Sequence, residues 1–482
     1  MRLLVGGALV AVVSALPACG GSGGEVGADS GVGVTSPADA SFDASSPDSA
    51  WPIGSSDAAT DAVTEPVADA ASDALPPPFD AGPTASNIKH VVLIVQENHT
   101  FDTYFGRYCT APAGSNPTCT TGPSCCEAAP DKEASGGAPA TLDDTLNKNR
   151  DPNHSQQCEQ TEMNLGKMDR YVTGTSCSNA QNFAIAPSSV VKTYHDWAGS
   201  YALADRYFQP IVGASSSNDM YFAEARHVFT DNAYEPLAQG HGCSYNLNTI
   251  QYQSKTTIAD LLLAGGHTFS VYAQGYDKMK AALLCPAVPS DCAFGLPTSP
   301  CVFDPSDIPF EYYAQFTDKP QFMRDYDHLA DDVKHGVLPT FSFVKALQYH
   351  DEHPGYGTTI TAGIDFVKQT VDAIQASSFA SDTLILLTWD EGGGFYDHVS
   401  PPPTSTVDSE GYGTRVPLLA IGPFARANTV SHVTMEHSSV VKFLEYNFLG
   451  RVTGQLGARD ASVNNLGSLL DPAKTGTVIP SN

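Results

Sequence analysis

The stretch LIVQENHTFDTYFG, Leu93 to Gly106, joins an apolar run directly to a polar and aromatic turn. Its first half belongs to a β-branched run over 88–96, and such a run predicts a buried strand. Glu97 and Asn98 follow at once. Because ligands of open α/β sheets bind beyond the carboxyl ends of the strands, this carboxylate and this amide are predicted to belong to a functional site.

Four further apolar runs also predict buried strands, and two stretches between them have apolar residues at helical spacing. The strands are predicted at His267–Ala273, Thr340–Val344, Thr383–Trp389 and Val416–Ile421, and the helices at Ile258–Ala264 and Ala362–Ala376. Strands that alternate with helices favour an α/β fold. The expected architecture is a mainly parallel central sheet with helices on both faces.

A second strand end carries acids: Asp390 and Glu391 follow the run that ends at Trp389. Together with Glu97 and Asn98 they form an oxygen-rich set, which suits a hard divalent ion such as Mg²⁺, Ca²⁺ or Mn²⁺ and does not exclude Zn²⁺. Several carboxylates in one pocket would repel one another without a cation. The sequence therefore predicts one metal ion at this edge, although each acid taken alone is better explained as a solvated turn residue.

Three glycines, Gly392–Gly394, come directly after the second pair of acids. Glycine lets the backbone turn tightly and approach a ligand without a Cβ clash. A further polar cluster follows the predicted strand Thr340–Val344, where His350 and His353 lie in the segment YHDEHP. Three strands thus deliver polar side chains to the same edge of the sheet, which indicates a site.

Three consecutive serines, Ser215–Ser217, lie where the loop QPIVGA runs into a helix-like segment. Unpaired backbone N–H groups at a helix N-terminus favour an anion such as phosphate. One serine is therefore a candidate nucleophile, activated by the metal rather than by a histidine base. The alternative is that the serines only cap the helix. His154 and His353 are candidates to contact a phosphoryl oxygen or to protonate a leaving group.

The N-terminus reads MRLLVGGALVAVVSALPACG and has one positive charge ahead of an apolar run too short to span a bilayer. It predicts a signal peptide over 1–19. Leu16-Pro-Ala-Cys19 is similar to a bacterial lipobox, so Cys19 is predicted to carry a lipid that anchors the protein to a membrane. An ordinary secretory signal is the alternative. Either reading predicts an exported protein, secreted or in the cell envelope.

Residues 20–86 contain eleven Asp or Glu and neither Lys nor Arg, among Ala, Ser, Gly and Pro. Such a composition cannot bury enough apolar surface to fold, so a disordered acidic spacer is expected. The whole chain has a formal charge of −28, and the remainder is acidic too. This argues against nucleic-acid binding. Residues 87–482 are predicted to form one catalytic domain, and no protein partner is predicted.

Ten cysteines lie beyond Cys19, four of them within 109–126. In an exported protein this even number predicts up to five disulfides that staple insertions. A zinc site at Cys119, Cys125 and Cys126 is the alternative, although no histidine follows at finger-like spacing.

Several long motifs occur in a fixed order: IKHVVLIVQENHTFDTYFG (88–106), NLGKMDRYV (164–172), GASSSNDMYF (213–222), EHPGYG (352–357), LLTWDEGGGFYDHVSPPP (386–403), GYGTRVPLLAIGPFA (411–425) and MEHSSVVKFLE (435–445). Together they resemble the bacterial and plant phosphoesterase family, which contains phosphatidylcholine-type phospholipases C and a group of acid phosphatases. The resemblance spans about 88–449.

This resemblance implies an alkaline-phosphatase-like three-layer α/β sandwich and a hydrolase of phosphate esters or phospholipids. It implies one divalent metal ion held by Glu97, Asn98, Asp390 and Glu391. Ser215 would be the nucleophile that forms a phosphoseryl intermediate. The implied contacts with the phosphoryl group or substrate are Asn98, His154, His353 and His398, with Asp397 in support.

The chain departs from the family pattern at three points. His99-Thr100 stand where Arg-Ser is more usual, so His99 is expected to lie outside the ligand set. Ala214 and Ser217 stand where relatives often have prolines, which leaves Ser216 or Ser217 as an alternative nucleophile. The chain stops soon after the last motif, as in short relatives, which favours a phosphatase or broad phosphoesterase.

Two other functions stay open. One is a surface binding lipoprotein that kept the fold and lost the chemistry, although no catalytic position is visibly broken. The other is a sulfatase or phosphonate hydrolase on the same superfamily fold. Sulfatases modify a Cys or Ser within a Cys/Ser-x-Pro/Ala-x-Arg motif, and the loop at Ser215 does not match it.

Overall fold

The structure, a computed structural model, describes residues 82–229, 237–238, 249–277 and 303–482. Its centre is an eight-stranded sheet. The strands are β1 (His90–Gln96), β2 (Ala202–Ala204), β3 (Phe269–Ala273), β4 (Met323–Asp325), β5 (Phe341–Lys345), β6 (Thr383–Trp389), β7 (Leu418–Ile421) and β8 (Thr429–Ser431). Their order across the sheet is β8-β2-β7-β6-β1-β5-β3-β4.

The sheet is mainly parallel. β1 lies between β5 and β6 and is parallel to both, and β3 and β4 continue the parallel half. Only β7 among these eight strands runs against its neighbours, β6 and β2. β1 reads HVVLIVQ and is buried along nearly its whole length, as a strand covered on both faces requires.

Ten helices surround the sheet in the described residues. They are α1 (Phe101–Phe105), α2 (Asp144–Asn149), α3 (Gln156–Met163), α4 (Lys192–Ser200), α5 (Ser215–Glu224), α6 (Ile258–Ala264), α7 (Asp327–Lys334), α8 (Ile360–Gln375), α9 (His437–Phe448) and α10 (Pro472–Thr475). Thr359 caps α8, whose apolar face is buried, and Thr257 forms a capping box with Asp260 at the start of α6.

The helices form a layer on each face of the sheet. Trp389 in β6 is aligned with the last residue of β1, and its ring packs against Tyr194 of α4 at 5.3 Å between centroids. Phe343 in β5 is aligned with Leu93, which lies three positions before Gln96 in β1. Because side chains alternate along a strand, Phe343 and Trp389 point to opposite faces of the sheet. Phe343 packs against Phe222 of α5 at 6.2 Å. The predicted α/β sandwich is therefore confirmed.

Short elements complete the architecture. Two-residue strands pair in parallel at Ala140–Thr141 with Ala184–Ile185, Tyr207–Phe208 with Met435–Glu436, and Leu237–Ala238 with Thr249–Ile250. The 3₁₀ helices are Pro123–Cys125, Ala180–Asn182, Pro305–Asp307, Pro309–Tyr312, Arg459–Ala461 and Leu466–Leu469. No described helix combines the length and the apolar character that a membrane span needs.

Three disulfides staple the insertions: Cys109–Cys126, Cys119–Cys125 and Cys158–Cys177. The alternative of a zinc site at Cys119, Cys125 and Cys126 is therefore wrong, because all three sulfurs are bonded to another sulfur. The four remaining predicted disulfide cysteines, Cys243, Cys285, Cys292 and Cys301, lie outside the described residues, as do Cys19, the signal peptide and most of the predicted spacer.

The last spacer residues belong with the domain. The backbone N–H of Ala85 donates to the carbonyl oxygen of Asn447 in α9 at 2.6 Å, and the Ser86 hydroxyl donates to the Asn447 side chain at 2.6 Å. The contacts of the folded domain thus begin a few residues before the predicted boundary at 87.

Candidate active site

Neighbouring strands β1 and β6 end side by side and hold the four predicted metal ligands. Glu97 and Asn98 follow β1, Asp390 and Glu391 follow β6, and all four are buried. The backbone N–H of Asn98 donates to Asp390 Oδ1 at 2.9 Å. The Asp390 backbone N–H donates to the carbonyl oxygen of Gln96 at 3.0 Å. Parallel pairing of the two strands thus brings together residues nearly 300 positions apart.

Asn98 has the strained geometry of a functional residue. Its φ is 64°, in the left-handed region, and its side chain is fully buried. Neither its Oδ1 nor its Nδ2 has a hydrogen-bond partner in the part of the chain that the structure describes. An unpaired buried amide costs about 1–3 kcal/mol, so this side chain indicates a bound group. An oxygen ligand set with a free amide fits a hard divalent ion.

The glycine loop packs directly on Asn98. Gly393 has a φ of +60°, and a Cβ there would lie 2.4 Å from the Asn98 carbonyl oxygen and 2.5 Å from Asn98 Cβ. Gly394 has a φ of +70° and lies against Pro152 and Asn153, next to His154. Two of the three glycines therefore let the backbone turn in the left-handed region and pack closely on neighbouring residues of the site.

Ser215 is the first residue of α5, and its hydroxyl lies among the acids. Its Oγ is 3.3 Å from Glu97 Oε2 and 3.2 Å from Glu391 Oε1. The N-cap residue of α5 is Ala214, and no side chain caps the helix. The alternative in which the serines cap α5 is thus wrong, and no side chain caps the backbone N–H groups of the first turn.

Glu159 of α3, which the sequence analysis did not single out, holds the loop ahead of Ser215. Its Oε2 accepts the backbone N–H of Gly213 at 3.2 Å and Gln209 Nε2 at 3.1 Å. Burial raises the pKa of Glu159 to about 8, despite these donors and a hydrogen bond with Glu391. A neutral carboxyl group here connects the serine loop to a predicted metal ligand.

Lys345, the last residue of β5, is a second residue that the sequence analysis missed. It is 2 % exposed, its Nζ forms an ion pair with Glu97 Oε1, and the same Nζ lies 4.0 Å from Asp219 Oδ2. The sequence does contain a feature that could have identified Lys345, because this residue directly follows the predicted strand Thr340–Val344. That strand extends one residue further than predicted and carries Lys345 into the core.

The charges in this pocket depend on one another. Burial alone would raise the pKa of Glu97, but Lys345, His353 and Asp390 together outweigh it and hold that pKa below its usual value. Burial disfavours the charged form of Lys345, yet Glu97 and Asp219 hold its pKa well above the usual range. Burial, and then the charge of Glu97, raise the pKa of Asp390. The pocket is rich in negative charge, which a cation would balance.

His154 and His353 lie together beside the acids, with ring centroids 5.6 Å apart. His353 is 9 % exposed, and its Nδ1 lies 2.7 Å from the carbonyl oxygen of Pro354. His154 Nδ1 lies 2.8 Å from the carbonyl oxygen of Pro152. Burial, and then the nearby His154, lower the pKa of His353. In the neutral rings the proton sits on Nδ1, so Nε2 is the acceptor on each ring.

His398 belongs to a separate charged cluster. Its Nδ1 is 2.8 Å from Asp102 Oδ2, and its Nε2 is 3.0 Å from Glu127 Oε2. Arg415 is also buried there, with Nε 2.8 Å from Asp397 Oδ1 and Nη2 3.0 Å from Asp102 Oδ1. Because carboxylates occupy both ring nitrogens of His398, the structure favours a role in holding this cluster over the predicted contact with substrate.

His99 packs behind the ligands. Its Nδ1 lies 2.9 Å from the Glu97 carbonyl oxygen, its Nε2 lies 3.1 Å from Asn147 Oδ1, and its ring stacks on Tyr104. Burial lowers the pKa of His99 to about 3, so the ring is neutral. The geometry agrees with the expectation that His99 is not a ligand.

Comparisons with known proteins define the class. The phosphoesterase family model matches residues 88–449. Hemolytic phospholipase C of Pseudomonas aeruginosa is 24 % identical over 435 residues, covering 80 % of this chain and 56 % of the relative. Phospholipase C B of Mycobacterium tuberculosis is 25 % identical over 433 residues, covering 81 % and 79 %. Non-specific phospholipase C3 of Arabidopsis thaliana is 23 % identical over 462 residues, covering 83 % and 78 %.

Among solved structures, a protein of the alkaline phosphatase superfamily from Vibrio parahaemolyticus has a TM-score of 0.36 at 10 % identity, over 81 % of this chain and 74 % of that one. The family match spans three quarters of the sequence, and the chain therefore belongs to the phosphoesterase family. The family predicted from the motifs is confirmed. This chain spans only about half the length of the Pseudomonas relative.

Proposed function

We propose that the protein is a metal-dependent phosphoesterase of the phospholipase C or acid phosphatase type, with Ser215 as its nucleophile. The observation that carries the proposal is the position of Ser215 Oγ, 3.3 Å from Glu97 and 3.2 Å from Glu391 at the first turn of a helix. The phospholipase C names of the relatives support a phosphate ester as substrate.

Glu97, Asn98, Asp390 and Glu391 are the proposed metal ligands. A divalent ion held there would lower the pKa of the Ser215 hydroxyl and offset charge on the phosphoryl oxygens. The first turn of α5 offers backbone N–H groups to the same oxygens. Positioning and electrostatic stabilisation of the transition state supply most of the rate enhancement.

In the proposed reaction, Ser215 Oγ attacks phosphorus in line, and its proton passes to a nearby carboxylate. The new bond joins Oγ to phosphorus, and the bond from phosphorus to the leaving alcohol breaks. Once solvent water has protonated their Nε2 atoms, His154 and His353 donate to the phosphoryl oxygens, and one of them gives that proton to the departing alkoxide. Water then hydrolyses the phosphoseryl intermediate and restores Ser215.

The test compares activity and covalent labelling in matched variants. Wild-type protein should hydrolyse p-nitrophenyl phosphate or phosphatidylcholine vesicles, lose activity with a chelator and regain it with a divalent metal. Ser215→Ala should lower kcat on the order of 10⁴ to 10⁶-fold while metal binding persists. Ser217→Ala is the control, because the Ser217 hydroxyl is buried without a hydrogen-bond partner in the described part of the chain.

Mass spectrometry of the quenched enzyme should find phosphate on the Ser215 peptide. Wild-type turnover in Ser215→Ala would move the nucleophile to a neighbouring serine or to water. Absence of hydrolysis with every metal and ester tried would instead favour the inactive binding lipoprotein. Faster turnover of a sulfate ester than of its phosphate counterpart would favour a sulfatase. The ratio of phosphatidylcholine to p-nitrophenyl phosphate activity separates phospholipase C from acid phosphatase.

We further propose that the protein is exported and anchored by lipid at Cys19. The three disulfides support an oxidising compartment. Cells fed a labelled fatty acid should label the wild-type protein, and Cys19→Ser should abolish the label. An unlabelled wild-type protein in the culture medium would support the ordinary secretory signal.

A further inference from the structure

A second group of acids shares Glu97 with the candidate active site. Carboxylate oxygens of Glu97, Asp219 and Asp307 all lie within 4.8 Å of one another. Asp219 is fully buried, and neither of its carboxylate oxygens has a hydrogen-bond partner in the described ranges. Three converging carboxylates of this kind form a ligand set for a hard cation.

Lys345 already supplies a cation to this pocket. Its side chain is 2 % exposed, its Nζ is paired with Glu97 Oε1, and it lies 4.0 Å from Asp219 Oδ2. The two oxygens of Glu97 therefore have different partners: Oε1 pairs with Lys345, and Oε2 accepts from Ser215 Oγ at 3.3 Å. The Glu391 carboxylate also lies at Ser215, with Oε1 3.2 Å from Ser215 Oγ.

We propose that the Lys345 ammonium takes the place of a second metal ion in the pocket of Glu97, Asp219 and Asp307, so that the enzyme binds one divalent ion, on the Ser215 side of Glu97. This inference rests on the proposed function for the first ion. Two-metal phosphoryl-transfer sites hold their ions about 3.5–4 Å apart and use the second to stabilise one of the reacting oxygens. A tethered ammonium permanently offsets part of the charge of the acids and cannot be removed by a chelator.

The inference assigns a separate task to the histidines. With no second ion to stabilise the leaving oxygen, that oxygen must receive its proton from a side chain, which is the task that the proposed function gives to His154 and His353. Lys345 is thus a positioning residue, which holds Glu97 by one oxygen and leaves the other for the metal and Ser215.

Metal stoichiometry tests the proposal without any activity assay. Purified protein is stripped with a chelator, dialysed against millimolar Mn²⁺ and analysed for bound metal per chain. Wild type should bind one ion. Lys345→Met removes the ammonium with little change in side-chain length, and it should bind two. Lys345→Met combined with Asp219→Asn should return to one. Lys442→Met is the control, because Lys442 Nζ donates to the Val463 carbonyl oxygen, and it should bind one ion.

Several results would overturn the inference. A folded Lys345→Met protein that still binds one ion would show that the second pocket is no metal site. Two ions in wild type would show that Lys345 does not exclude the second. If Lys345→Met fails to fold, Asp219→Asn decides: it should keep one ion at wild-type affinity, and loss of that ion would refute the assignment. A protein that hydrolyses phosphate esters but binds another number of metal ions per chain would contradict only this inference. An inactive protein that binds one ion would contradict only the proposed function.

Discussion

Gly393→Ala is the sharpest test of how the glycine loop builds the site. The added Cβ would lie 2.5 Å from Asn98 Cβ and 2.4 Å from the Asn98 carbonyl oxygen. Carbon atoms in contact are about 3.5–4.0 Å apart, so the loop and Asn98 must separate by about 1 Å. Asn98 is held from the other side by Asp390, through its backbone N–H. The displacement therefore falls on the proposed metal ligands.

Two effects add in this variant. A left-handed conformation costs a non-glycine residue about 1–2 kcal/mol, which lowers the free energy of unfolding. A misplacement of about 1 Å in catalytic groups can cost on the order of 100-fold in rate, or about 3 kcal/mol of transition-state stabilisation. We expect kcat/KM on p-nitrophenyl phosphate to fall by about this factor and metal affinity to weaken with it.

Gly336→Ala is the matched control. Gly336 has a φ of +75°, and a Cβ there would meet nothing within 4 Å. It should lose about 1 kcal/mol of stability from the left-handed conformation alone, with kcat/KM and metal affinity unchanged. Chemical denaturation, calorimetric metal titration and steady-state kinetics on both variants separate the two effects. Wild-type kcat/KM and metal affinity in a folded Gly393→Ala protein would refute the reasoning.

Three further predictions concern stability. Arg415→Met leaves buried Asp397 without its counter-charge and Asp102 with His398 alone, and it should cost about 3–5 kcal/mol in denaturant unfolding; a loss under 1 kcal/mol would contradict the ion-pair assignment. Replacing Cys109 and Cys126 together by serine opens a link across 17 residues and should lower stability by about 2–4 kcal/mol, and an unchanged melting temperature would argue against a stabilising link. Burial raises the pKa of Glu436 from 4.5 to about 7. Its contribution to stability is therefore full below pH 4.5 and is lost as pH rises through 7, by about 3 kcal/mol. Unfolding followed from pH 4.5 to 8 should show a smaller loss in Glu436→Gln, and parallel curves would contradict the shift.

Much of the fold could be predicted from local pattern. Thr383–Trp389 and Ile258–Ala264 have the bounds that their apolar spacing predicts, and β1 begins two residues later than expected. Each of these elements buries a regular set of side chains, so apolar residues recur along it at a spacing that can be recognised in the sequence. The antiparallel direction of β7 could not be predicted from the sequence, because an apolar run does not indicate the direction of the strand with which it pairs.

The candidate active site also has one part that the sequence predicts and one part that only the tertiary structure shows. That Glu97 and Asn98 lie beside Asp390 and Glu391 could be predicted, because the two pairs follow the ends of two strands and the motifs are long. Among the three adjacent serines only the tertiary structure distinguishes Ser215, whose hydroxyl alone of the three lies within hydrogen-bond distance of Glu97 and Glu391.

The sequence by itself determined the α/β class, the strand ends that carry the acids, and the family. Only the tertiary structure decided that Lys345 pairs with Glu97, that His398 pairs with Asp102 and Glu127, and that Cys109 is bonded to Cys126. The physical reason is the separation along the sequence between the residues that interact. Periodicity and strand ends are properties of neighbouring residues, whereas a charge pair depends on which distant strands and loops the sheet order places side by side.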